Sequence, residues 1–289
     1  MRIITHWRFS AGFVLWLGLL ASTVGLPAQD LDPSQLPTSA LRDQANRLVQ
    51  DGELREARPL LLELISRFET EDGSEPEINL AFPFFMTGTS YLQDFQSSQA
   101  QSDLLTALEW YDRLVTQYPD SEFVRTANER RIDILRAVGR LDEALDMMEA
   151  AVRGEFGYQM NQTELQNMLR ELVRTYYAAD QMEEGLLYFE RIVEVSNNFA
   201  DRTLGAAAAF ETYIEQAAPA ENTNEEPDSE TLDKAMALLP VLAQESEVRY
   251  RPRLNIALLQ ASDLLVAADR VNDASLILSL IKTTDVMLD

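Results

Sequence analysis

Apolar residues return along this chain at the spacing of a helical stripe, in six segments that share one register. In LLTALEWYDRLV, Leu104 is followed at the third, seventh and tenth places by Ala107, Tyr111 and Leu114. The same places hold Leu54, Ala57, Leu61 and Leu64, then Leu141, Ala144, Met148 and Ala151. They hold Met182, Gly185, Phe189 and Ile192, then Leu232, Ala235, Leu239 and Leu242, and finally Val271, Ala274, Leu278 and Ile281. Residues so spaced lie on one face of a helix. The second place is always Ala or Gly. A small residue there lets another helix approach closely, and a larger one would overpack the contact by about 1–3 kcal/mol.

A second amphipathic segment precedes each of these. Phe123, Ala127, Ile132 and Leu135 form the apolar face of the one before Ala144. Gly139 then ends it, as glycine readily does; Gly52 and Asp269 mark equivalent turns. Asp120 is placed to cap the helix that follows Pro119, and Asn161 with Glu164 has the spacing of a capping box. The repeated unit is therefore a helical hairpin, with a basic period near ~34 residues and inserted loops. The polar insertion APAENTNEEPDSE, 218–230, predicts a mobile acidic loop. Pro59 and Pro240 fall inside second helices; Pro59 is close to its helix start, and Pro240 is expected to bend or shorten its helix.

This pattern resembles the tetratricopeptide repeat family. The family's small residue of the second helix matches Ala57, Ala107, Ala144, Gly185, Ala235 and Ala274. Its bulky position four residues on matches Tyr111 and Phe189, and its closing proline matches Pro119. The resemblance covers most of residues 38–287 and implies an all-α, right-handed α-solenoid of about six antiparallel helix pairs. Residues 107–145 also resemble tetratricopeptide proteins of bacterial envelopes, with the closing sequence Tyr118-Pro119-Asp120-Ser121. In such stacks the first helices line a concave groove that holds a peptide or helix of a partner. Family register places Arg42 and Asn46 of the first pair there, with Glu129, Asp133 and Arg136 of the third and Arg170, Arg174 and Tyr177 of the fourth. Arg170 and Arg174 repel each other unless an anion compensates, and Glu129 or Asp133 is the expected one. The second pair offers Phe85 and Met86 in the corresponding place.

The ends and totals add a compartment. Arg2 and Arg8 precede the apolar run AGFVLWLGLLASTV, and no acid occurs before Asp30. The run is too short to span a membrane comfortably. Residues 1–28 therefore read as a secretory signal peptide, with an uncleaved anchor as the alternative. Residues 29–37 read as a short linker and 38–289 as the repeat domain. The last pair ends at VMLD with no polar capping helix, although solenoids usually need one.

Charge and composition exclude several chemistries. The net charge is −24, with 48 acids and two lysines, Lys234 and Lys282. Such a surface repels nucleic acid and anionic headgroups. There is no cysteine, and the single histidine, His6, lies in the signal segment. Thiol and imidazole catalysis, disulfides, and Cys/His metal sites are thereby removed. No glycine-rich phosphate loop or calcium-loop spacing is present. The expectation is a non-catalytic, periplasmic or secreted scaffold with a protein or peptide partner, no cofactor and no small-molecule substrate. Its alternatives are an envelope glycan hydrolase built on paired carboxylates and a structural subunit stacking end to end.

Overall fold

The computed structural model describes residues 32–68, 79–220, 225–243 and 251–281. Residues 1–28, expected to be a signal segment, the start of the 29–37 stretch and the last residues, 282–289, lie outside these. Within them the chain forms a 3₁₀ turn, η1 (Pro33–Gln35), and α-helices in six consecutive hairpins. The first four are α1 (Thr38–Gln50) with α2 (Leu54–Phe68), α3 (Ala81–Ser98) with α4 (Gln101–Gln117), α5 (Val124–Ala137) with α6 (Leu141–Val152), and α7 (Gln162–Ala179) with α8 (Met182–Val195). The fifth is α9 (Phe199–Ala217) with α10 (Ser229–Ala237) and the short α11 (Leu239–Leu242); the sixth is α12 (Arg251–Ala267) with α13 (Val271–Leu280). Each helix packs on its hairpin partner. The second helix of each of the first four hairpins also packs on the first helix of the next, and α12 packs on α9. The result is an all-α solenoid with its core drawn out along the stack.

The small residues sit where the sequence register puts them. Ala57, Ala107, Ala144, Ala235 and Ala274 are buried, and so is Gly185. The bulky partners Tyr111 and Phe189 are both fully covered. A Cβ on Gly185 would lie 2.4 Å from Cζ of Phe189 and 2.8 Å from Cγ of Tyr176. Those rings meet edge to face at 6.0 Å, so glycine makes the room they occupy. Gly88 plays the same part across the second hairpin, with Cε1 of Tyr111 3.0 Å from where its Cβ would be. Burial pushes the Tyr111 phenol up to about 12, and its hydroxyl lies 3.1 Å from that of Thr89.

The turns follow local chemistry. Gly139 takes φ +80°, which lets Arg140 N–H reach the Leu135 carbonyl at 2.9 Å and close the end of α5. Asp180 and Asp269 adopt the same left-handed backbone, which aspartate tolerates better than most residues. Asn161 and Glu164 form the expected reciprocal capping box, at 3.0 and 2.9 Å. Pro119 follows α4 in the turn before α5.

Two local expectations are corrected, those for Asp120 and for the acidic stretch, while those for the two prolines hold. Asp120 does not cap α5: the helix begins at Val124 after Phe123, and it is the Ser121 hydroxyl that accepts from Phe123 N–H, at 3.3 Å. Pro59 is accommodated inside α2, whereas α10 stops just before Pro240 and the chain restarts as α11. The acidic stretch 218–230 is not one free loop. Residues 221–224 lie outside the described residues, but Pro227 is buried and Asp228 caps α10. Its side chain accepts from Glu230 N–H at 3.0 Å and from the Thr231 hydroxyl at 2.6 Å, and its own N–H reaches the Ala217 carbonyl. In the 29–37 stretch, η1 is fastened to α2: Arg67 donates to the carbonyls of Pro33, Ser34 and Leu36 at 3.1, 3.0 and 2.8 Å. That latch holds η1 on the first hairpin.

Helix α9 is the tightest element. Ala206, Ala207, Ala208 and Ala209 are all buried, as are Thr203, Phe210 and Thr212. A Cβ on Gly205 would fall 2.2 Å from Cγ2 of Ile192 and 2.6 Å from the Phe189 carbonyl oxygen. The second contact is with backbone, which cannot swing aside. Gly205→Ala is therefore expected to lower stability by about 1–3 kcal/mol through overpacking, read as a lower urea midpoint with an unchanged slope.

Candidate functional site: a concave groove across the first helices

A groove of about 1500 Å³ is lined by residues of α1, α2, α3 and the start of α5. Helix α1 contributes Arg42 and Asn46, as expected from the sequence. Helix α3 contributes Phe82, Phe85, Met86 and Thr89; Phe123, at the head of α5, joins Thr126 and Arg130 on the far wall. Phe85 stacks on Phe123 with centroids 5.1 Å apart, and Phe82 leans on the same ring at 6.0 Å. These rings are half-buried. One side of each is held by the core, and the other faces the groove. The charged residues of the lining are Arg42, Arg130 and Glu122, a near-neutral patch on a chain of net charge −24.

A smaller hollow of about 240 Å³ lies across α5, between it and α7. Glu129, Asp133 and Arg136 line it, with Glu171 opposite and Met148 and Met168 among the apolar residues. Its lip is the α6–α7 connection. Tyr158 of that connection lies under the Arg125 guanidinium at 4.9 Å, and Arg125 also pairs with Glu164 at 2.5 Å. Arg136 pairs with Glu171 at 2.8 Å. Asp133 accepts no hydrogen bond among the described residues. Burial holds its carboxyl above the usual range, against the pull of Arg130 and Arg136.

The fourth pair departs from expectation. Arg170 and Arg174 are compensated by neither Glu129 nor Asp133. Arg174 pairs with Glu171 on its own helix at 2.9 Å. Arg170 donates to both oxygens of Asp201 on α9 at 3.3 Å and to Asn167 at 2.6 Å. Asp201 is 4 % exposed, so Arg170 is a clamp between α7 and α9 and serves the fold. Tyr177 stacks on Phe189 at 6.3 Å and belongs to the edge of the core.

What sequence reasoning missed is the apolar wall: Phe82 and Phe123, and the role of Phe85 and Met86. The signal was present in AFPFFM, which is apolar on more sides than one packing partner can cover. The far end of the stack carries a different surface. Ile256, Leu259 and Val266 of α12 and Val271, Leu276 and Leu278 of α13 are exposed. At the other end of the described residues, Arg42, Asp43 and Arg47 of α1 are exposed. Among the described residues no three His, Cys, Asp or Glu side chains gather as a metal site, and no helix is long and apolar enough to cross a membrane.

No protein-family model matches the sequence, and comparison with curated proteins finds no match. Solved structures do show likenesses. YrrB, a tetratricopeptide protein described as having an unusual peptide-binding site, is 16% identical over 76% of this chain and 90% of its own, with a TM-score of 0.43. A tetratricopeptide repeat protein from Parabacteroides merdae is 16% identical over 86% and 81%, with a TM-score of 0.43. MamA from Desulfovibrio magneticus is 15% identical over 84% and 92%, with a TM-score of 0.36. By its own geometry the chain is tetratricopeptide-like: stacked helical hairpins, each with a buried Ala or Gly in the second helix.

Arg170→Ala leaves the Asp201 carboxylate buried without its cation, and is expected to cost about 1–3 kcal/mol. Most of that loss should disappear in an Asp201→Asn background, a coupling measured by a double-mutant cycle in urea.

Proposed function

We propose that the protein is a non-catalytic scaffold that holds a peptide or helix of a partner protein in the groove across α1, α3 and α5. The observation that carries this is the groove itself: about 1500 Å³, floored by Phe85, Met86 and Phe123 and open to solvent. Half-buried aromatic rings and a flexible methionine supply contact area at low entropic cost, as recognition surfaces do. The polar groups around them, Asn46, Thr89 and Thr126, can orient a bound backbone. The surrounding acidity disfavours nucleic acid and anionic lipid as ligands. We place this activity outside the cytoplasm, in the periplasm or beyond the cell, on the strength of the N-terminal run of residues 1–28.

A photo-crosslinking amino acid at Thr126, inside the groove, should yield a discrete protein adduct in intact cells. The same group at Leu187, which is 66% exposed on α8, should not. Met86→Glu should abolish the Thr126 adduct while leaving the thermal transition in place. Identical adducts from both positions would remove the groove from the account. N-terminal sequencing of the protein from a cell fraction tests export, with a start near residue 29 expected.

A further inference from the structure

The hollow of about 240 Å³ between α5 and α7 shares no lining residue with the large groove. Most of its side-chain acceptors are already engaged. Glu129 accepts from Arg125 at 3.4 Å, and Glu164 accepts from Arg125 and from the N–H of Asn161. Glu171 accepts from Arg136 at 2.8 Å and from Arg174 at 2.9 Å, and Asn167 accepts from Arg170 at 2.6 Å. Asp133 is the exception among the lining carboxylates: neither of its oxygens accepts a hydrogen bond from a described residue. The Tyr158 hydroxyl, on the lip, is also without a bond among the described residues. Arg130 and Arg136 lie within electrostatic reach of Asp133, but Arg136 is bonded to Glu171 and Arg130 lines the large groove. Burial, with Glu171 and Glu129 adding to it, outweighs their pull on the carboxyl. The apolar part of the lining is Ile132 and three thioethers, Met148, Met160 and Met168.

We propose that this hollow takes one alkylammonium group, the end of a lysine side chain or of a free primary amine, with its nitrogen on the Asp133 carboxylate and its carbon stem against Met148, Met160 and Met168. The volume falls below the roughly 300–1,000 Å³ of sites for drug-sized ligands, so it suits a single extended side chain. A carboxylate withdrawn from water without a donor carries a cost that an incoming cation removes. The bond that forms is charge-assisted, and so among the stronger hydrogen bonds. Thioethers are polarizable and adapt their shape to an aliphatic stem, and the stem of a lysine is the part that burial favours. An ammonium fits better than a guanidinium. A guanidinium brings five N–H groups in a rigid plane, and the side-chain acceptors left open here are those of Asp133 and Tyr158. The compact ammonium brings three donors and leaves fewer of them unmet. The site stands apart from the proposed groove, so either can fail without the other.

The test must separate this site from bulk attraction, because a chain of net charge −24 draws any cation. The full chain, labelled with carbon-13 at its methionine methyl groups, is titrated at physiological salt with Nα-acetyl-lysine amide and with n-butylamine. Single Met→Leu variants assign the signals. The Met148, Met160 and Met168 methyls should shift and saturate in the millimolar range expected of so small a ligand, while Met86 in the large groove stays in place. Nα,Nε-diacetyl-lysine amide, which lacks the charge, should shift none of them, and Nα-acetyl-arginine amide should bind more weakly. Asp133→Asn should weaken the lysine amide about tenfold. Glu183→Gln, which removes the same charge from an exposed place on α8, should leave it unchanged. The spectrum of each variant without ligand shows whether it is folded. Should Asp133→Asn fail that check, the comparison of the charged and acetylated probes on the unaltered protein carries the test. Saturation by both amines supports the shared chemistry with either source; saturation by the lysine amide alone assigns the site to protein-borne lysine, and by butylamine alone to free amines. No saturable shift of these methyls, equal shifts from the acetylated probe, or equal weakening by Glu183→Gln each overturns the proposal. Arginine binding as tightly as lysine overturns the choice of ammonium.

Discussion

The structure depends on one constraint, the distance at which two helices can cross. At Gly185, Gly88 and Gly205 a single added carbon would collide with Phe189, Tyr111 or the carbonyl of Phe189. At Ala107 and Ala144 the methyl is tolerated, and both are fully buried. The bulk missing at these points is returned by the large neighbours Tyr111, Met148 and Phe189, which fill the space on either side of each crossing. Packing of this kind is specific in a way that burial of apolar area alone is not, because interiors are close-packed and strain is felt by backbone. Each hairpin presents two faces, and each needs a neighbour. Stacking continues for that reason, and the core becomes a line through six hairpins.

The line is uneven, and the groove follows from the unevenness. Around α9 the filling is complete: four consecutive alanines and Gly205 bring α8, α10 and α12 close about one helix, and Arg170 clamps Asp201 from α7. Around α3 the sequence runs Phe82, Phe84, Phe85 and Met86. Phe84 is fully buried, but the others cannot all turn to the same side of a helix. The surplus aromatic surface is left toward α1 and α5, stiffened by stacking with Phe123. The half of the stack with large side chains is the half that opens, and the half with small ones is the half that closes.

Much of this was legible in the chain. The register of small residues predicted all six second helices, the turns at Gly52, Gly139 and Asp269, the capping box at Asn161 and the break at Pro240. These are local signals, set by spacing and by backbone preference, and a single sequence carries them fully. Of the residues that repeat register put on the groove side, Arg42 and Asn46 line the larger groove and Glu129, Asp133 and Arg136 the smaller hollow. The assignments of Arg170 and Tyr177 to an open groove did not survive. Arg170 meets Asp201, thirty-one residues away, and Tyr177 meets Phe189 across the hairpin turn. Which charge answers which is decided by how one hairpin seats on the next, and periodicity does not contain that information. The Asp120 cap failed for a nearer reason: the turn after Pro119 runs three residues longer before α5 begins, so Ser121 is the side chain that meets a free N–H.

The acidity of the chain acquires a meaning once the ion pairs are traced. Arginines are outnumbered, yet they lie where hairpins meet: Arg58 with Asp94 between α2 and α3, Arg131 with Asp112 between α4 and α5, Arg136 with Glu171 between α5 and α7, and Arg270 with Asp233 between the last two hairpins. Arginine suits these seams because its planar fork can bond one neighbour while its apolar stem packs on another; Arg58 also covers the Tyr91 ring at 4.0 Å. The excess carboxylates are left to the outer surface, where like charges repel one another through water. Not every arginine is used at a seam: Arg42, Arg47 and Arg191 make no hydrogen bond or ion pair among the described residues. Of these, Arg42 lines the groove of about 1500 Å³. The latch of Arg67 on η1 does not use it, and its guanidinium is left to the groove.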